Sequence, residues 1–109
     1  MAKDSPKSPV RITTQFRKGH AMVYDLSCED VRLTIEVTLR ENADGIEQWN
    51  VGAHARQAPD KPSIDEQGPT RRDALSAVAS SWSAKRGAYG FPSLDWDAVT
   101  KALLAVRAI

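Results

Sequence analysis

The sequence predicts an α+β domain in the order ββββαα: a four-stranded antiparallel β-meander followed by two C-terminal α-helices packed on one face of the sheet. Three observations lead there. Before residue 57, apolar residues recur at every second position in four segments joined by short links. After residue 70 they recur at spacings of three and four. A proline-rich stretch with neither period separates the two regimes.

Residues 1–9, "MAKDSPKSP", hold two Ser-Pro pairs and no large apolar residue beyond Met1, and read as a flexible arm before a single domain over 10–109. "VRITTQFR" then places Val10, Ile12 and Phe16 on one side and Arg11, Thr13, Gln15 and Arg17 on the other. After a turn at Gly19, "AMVYDLS" turns Met22, Tyr24 and Leu26 inward. The third strand, 30–40, has the cleanest alternation, with Val31, Leu33, Ile35, Val37 and Leu39 against Arg32, Thr34, Glu36, Thr38 and Arg40. Asp44-Gly45 signals a hairpin into 47–56, where Trp49, Val51, Ala53 and Ala55 oppose Gln48, Asn50, His54 and Arg56.

Residues 57–69 carry three prolines and read as a long loop anchored by Ile64. Thr70 is the expected N-cap of the first helix, with Asp73 completing a capping box, and Leu75, Val78, Ala79 and Trp82 form its apolar stripe. Lys85 and Arg86 suit the negative end of that helix, and Gly87 is its expected stop. The second helix is expected to start near Ser93 or Asp95. Its stripe is Trp96, Val99, Ala102, Leu103, Val106 and Ile109. Of the two aromatics in the corner, Tyr89 and Phe91, one is expected to plug the core and the other to be exposed.

The chain has 109 residues, a net charge of +1 and 27% charged residues, which fits one globular domain with no whole-molecule pull toward polyanions. No apolar run is long enough to span a bilayer, and no membrane partner is expected. The N-terminus lacks the apolar core of a secretory signal, and Cys28 is the single cysteine, so a reducing cytoplasm is the expected compartment. The abundance of Ala, Arg and Asp suits a GC-rich bacterial genome.

Two surfaces stand out. If the helices cover one face of the sheet, the other displays Arg11, Arg17, Arg32, Arg40, Arg56 and His54 among threonines and amides. Arginine forks bind phosphate, so this face is the candidate nucleic-acid surface. The apparent absence of an aromatic stacking platform on it weakens that reading, and a merely solvated face is the simpler one. The second surface lies on the first helix, where Ala74–Ala84 carries no charge and Ala77, Ser80 and Ala84 make a small-residue side opposite the Trp82 stripe. The second helix, the long loop or another protomer is expected to pack there, and Leu104, off the stripe of the second helix, adds to a protein-contact face.

Catalytic and metal chemistry finds little support. Cys28, His20 and His54 are scattered without metal-ligand spacing, so no metal is expected. Glu29 and Asp30 beside Cys28 disfavour a thiolate. "DWD" at 95–97 is explained by acids at a helix start, and "GAYGF" is no phosphate loop, so no cofactor is expected. An enzyme would need distant acids or His54 to converge in a pocket. The expectation is therefore a small non-catalytic, cytoplasmic binding or regulatory protein that acts through protein contacts and self-associates. A nucleic-acid binder using the arginine face is the alternative.

Overall fold

The computed structural model describes residues 10–28, 31–56 and 60–106; the arm at 1–9, Glu29, Asp30 and Ile109 lie outside them. The chain is an α+β fold with an antiparallel sheet and two C-terminal helices, but the sheet has five strands rather than four. The strands are β1 (Arg11–Lys18), β2 (Ala21–Cys28), β3 (Val31–Glu41), β4 (Glu47–Ala55) and β5 (Ile64–Gly68), in spatial order β1-β2-β3-β4-β5. The helices are α1 (Arg71–Tyr89) and α2 (Trp96–Ala105).

β5 falls inside the stretch expected to be a loop. Its sequence, IDEQG, has one large apolar residue, too few to show a period. The strand is specified by pairing instead: Ile64 stands opposite Ala53 and Gly68 opposite Trp49, and both are buried. Pro62 and Pro69 bracket it, an arrangement suited to a short edge strand.

Alternation on β2, β3 and β4 is as the sequence implies. Met22, Tyr24, Leu26, Leu33, Ile35, Val37, Val51, Ala53 and Ala55 face the helices and join the core. β1 departs from it. The register shifts between Ile12 and Thr14, so a bulge at Thr13 inserts one extra residue and inverts the facing of everything after it. Ile12 remains on the helix side opposite Leu26, but Phe16 stands opposite Val23 on the open face and is 48% exposed. Gln15 and Arg17 move to the helix side, opposite Tyr24 and Met22. Thr13 Oγ donates to the Asp25 carbonyl oxygen at 3.1 Å, which ties the bulge to β2.

α1 starts where its cap requires. Thr70 Oγ1 accepts from the Asp73 N–H at 3.1 Å and donates to the Asp73 carboxylate at 3.0 Å. The helix does not stop at Gly87. It runs to Tyr89 and ends at Gly90, whose φ of 69° is the left-handed cap conformation, and the Phe91 N–H reaches back to the Arg86 carbonyl at 3.1 Å. Tyr89, in the last turn, meets Phe91 edge-on at 5.3 Å across the Gly90 cap.

Phe91 is the aromatic that plugs the core, stacked on Trp82 at 4.3 Å, while Tyr89 is half-buried beside it. Trp96 meets Trp82 edge-on at 5.6 Å, and the Trp82 Nε1–H donates to the Pro92 carbonyl at 3.0 Å. Asp95 caps α2 by accepting from the Ala98 N–H at 3.1 Å. The corner between the helices is thus held by one aromatic cluster.

Candidate functional site

Strand register brings three surfaces together: the open face of the sheet, the outer side of the helix pair, and a cleft at one end of the helix-covered face. The open face carries Arg11, Lys18, Arg32, Arg40 and Arg56, but Asp25, Glu36 and Asp65 lie among them. Arg17, expected on this face, is on the opposite one because of the Thr13 bulge. Asp65 was not expected here because β5 was not. The face is therefore more mixed in charge than alternation alone implies, and the bulge gives it an aromatic, Phe16.

Across its middle, Thr34, Glu36, Thr38, Arg40, Asn50, Gly52, His54 and Asp65 help line a shallow polar groove of about 380 Å³. Asp25 is fixed beside it. Thr14 Oγ donates to one carboxylate oxygen at 2.6 Å and Thr34 Oγ to the other at 2.8 Å, with an Arg56 nitrogen at 4.0 Å. The Thr14 hydrogen bond is the largest influence and holds the Asp25 carboxyl below its usual pKa; partial burial opposes it, and Thr34 and Arg56 reinforce it. These contacts tie β1, β2, β3 and the end of β4 together, which is structural work. His54 stands opposite Thr34 on the same face, half-buried.

The expected contact residues on the helices do not form one face. Ala77 is half-buried, Ser80 and Ala84 are exposed, and neighbouring Ser81 donates to the Glu66 carboxylate of β5 at 2.5 Å. That side of α1 leans on β5. Leu104 instead lines a groove of about 670 Å³ on the other flank, with Arg72, Ser76 and Ala79 of α1 and Trp96 and Lys101 of α2. No element among the described residues covers the outermost Ser80 and Ala84, so neither α2 nor residues 60–69 pack there.

The third surface was not anticipated. β2 last pairs with β3 at Ala21–Thr38, and β5 last pairs with β4 at Gly68–Trp49. The β3–β4 hairpin continues past both as a two-stranded arm through Arg40–Gln48 and Glu41–Glu47, with Leu39–Trp49 at its root. Asn42 organises its tip: its side-chain oxygen accepts from the Asp44 and Ile46 N–H groups at 2.9 and 3.0 Å, and Gly45 takes a φ of 78°.

Of the three large hydrophobics that are exposed among the described residues, Leu39 (40%) and Ile46 (60%) lie on this arm. Where the arm leaves the sheet, Met22, Tyr24, Val37, Leu39 and Trp49 floor a cleft of about 230 Å³ rimmed by Arg17, His20 and Arg71. The Arg71 guanidinium lies 5.8 Å from the centre of the Trp49 ring.

The sequence held only half of that site. Leu39 and Trp49 are legible as inward residues, but the alternation does not show that nothing covers them. Arg17 reaches the cleft only because of the bulge, and Arg71 only because α1 begins above β4.

Among the described residues no group of His, Cys, Asp and Glu is arranged to hold a metal ion, and no helix is long and apolar enough to cross a membrane. Cys28 is buried at the end of β2. Comparison with known proteins finds no matching family model, no matching curated protein and no matching solved structure.

Proposed function

We propose that the chain is a small non-catalytic binding protein acting through protein contacts, including contacts with copies of itself. One observation carries the reading: the projecting β3–β4 arm leaves Leu39 and Ile46 exposed and Trp49 half-exposed at the end of the sheet. Two exposed large hydrophobics on one short projecting arm favour association, whereas a single exposed leucine would need no explanation. The uncharged outer side of α1 at Ser80 and Ala84 supports close approach of a second protein.

Light scattering over ~10 µM to ~1 mM, a range that detects modest affinities, tests self-association. The average mass rises with concentration, and Ile46→Asp with Leu39→Ser lowers it. A mass that stays monomeric throughout removes the self-association part of the reading.

Phe16 favours a second reading, in which the open face binds single-stranded nucleic acid by stacking a base on that ring between Arg11 and Lys18. Asp25, Glu36 and Asp65 count against it. That reading requires oligonucleotide binding that weakens steeply with salt and vanishes on charge reversal at Arg32, Arg40 and Arg56.

A further inference from the structure

We propose that the cleft rimmed by Arg17, His20 and Arg71 docks an acidic polypeptide segment of a partner protein that inserts one apolar side chain. The inference rests on the protein-contact reading and names the chemistry of the contact. Charge comes first. The cleft is lined by Arg17, His20, Met22, Tyr24, Val37, Leu39, Trp49 and Arg71, with two arginines and a histidine but no carboxylate among them. Arg71 opens α1, so its charge adds to the positive end of the helix dipole above the same cleft. Glu41 and Glu47 lie two residue pairs farther out than Leu39 and Trp49, at register positions of the same face. The polarity therefore runs from a cationic inner end to an acidic outer lip, and a bound segment would set its carboxylates toward the inner end.

Size and floor chemistry narrow the occupant. At about 230 Å³ the cleft is below the roughly 300–1,000 Å³ of sites that enclose whole small molecules. It suits a single side chain with the rest of the ligand lying outside. Its floor is aromatic and aliphatic, and Trp49 is only half-buried, so an inserted apolar side chain would complete that ring's burial. An arginine already stacked over a tryptophan is preorganised to meet a carboxylate.

The test uses a fluorescein-labelled peptide with one phenylalanine flanked on each side by aspartates, added to the full chain at low salt. Anisotropy reports binding, and tryptophan emission reports its place, because Trp82 and Trp96 are buried and Trp49 is not. The expected result is saturable binding below ~1 mM with a blue shift in emission. Replacing the peptide's aspartates by lysines, or its phenylalanine by serine, weakens binding at least about tenfold.

Arg17→Glu and Arg71→Glu each weaken it by a similar factor. Thermal unfolding of each variant, with the milder Arg17→Gln and Arg71→Gln beside them, separates lost charge from lost fold, and the glutamine variants weaken binding in the same direction. No saturable binding, equal affinity for the lysine peptide, or unchanged affinity in both arginine variants overturns the proposal. Binding of dodecanoate but not of the peptide also overturns it, in favour of a small amphipathic acid. If only this proposal fails, Ile46→Asp still lowers the self-associated mass; if the protein-contact reading fails as well, that substitution is silent.

Discussion

Phe16 stands opposite Val23 on the open face of the sheet, while Ile12, four residues earlier on the same strand, stands opposite Leu26 on the helix-covered face. Strict alternation would put Ile12 and Phe16 on one side, and the bulge at Thr13 separates them. A half-exposed Phe16 contributes little to the core. Phe16→Thr is expected to change stability by less than about 1 kcal/mol, whereas Leu33→Ala, at a residue 2% exposed, costs ~2–5 kcal/mol. Urea denaturation of the two variants measures the contrast, and comparable losses would place Phe16 inside the core.

The bulge also marks where sequence reading stops. On β3, five alternating apolar residues fix the facing of the whole strand, and a slip of one residue would expose all of them. β1 offers only Val10, Ile12 and Phe16, and "TT" at 13–14 can supply either one facing or two. A bulge is chosen by how the strand fits β2, information that is not local to β1. β5 was illegible for the same kind of reason, since IDEQG takes its identity from the edge of β4 rather than from its own pattern. The capping of α1, by contrast, is local chemistry between Thr70 and Asp73, and it was readable. The candidate cleft joins residues from β1, β2, β3, β4 and α1, so most of it became visible only with the register.

The position of the α1 terminus predicts opposite signs for two similar substitutions. Gly87 lies within the helix, and an added Cβ meets nothing within 4 Å. Gly87→Ala is expected to stabilise the protein by about 0.5 kcal/mol or somewhat more through loss of unfolded-state freedom. Gly90 has a φ of 69°, so Gly90→Ala costs about 1 kcal/mol. Thermal unfolding of the pair would read the difference, and a stabilising Gly90→Ala would mean that the helix does not end there.

Gly68 and Gly52 form a second contrast, set by what an added methyl would strike. At Gly68 the new Cβ would lie 2.6 Å from the Ala74 nitrogen and 2.8 Å from the Asp73 Cβ, which are parts of the first turn of α1. The helix start would have to lift from β5, and a loss of roughly 2–4 kcal/mol is expected. At Gly52 the nearest atom is an oxygen of the exposed Asp65 side chain, which can rotate away. Gly52→Ala should cost about 1 kcal/mol or less. Equal losses in denaturant would contradict the close seat of α1 on β5.

The pH dependence of stability should carry the signature of Asp25. Hydrogen bonds from Thr14 and then Thr34, with Arg56 nearby, keep its folded-state pKa below the unfolded value near 3.8, despite the opposing effect of burial. A carboxyl with a depressed folded pKa contributes stability that is fully present above the unfolded value and is lost as pH falls through the folded one. The wild type should therefore lose stability in acid more steeply than Asp25→Asn, with the gap between them closing below about pH 4. Thr14→Val removes the largest influence and should shrink the gap further than removing the Arg56 charge does, since an ion pair at 4.0 Å with a half-exposed arginine is weak. Urea midpoints from pH 7 down to about pH 2 would decide it. Parallel curves for wild type and Asp25→Asn over that range would show that the two threonines do not hold the carboxylate in solution.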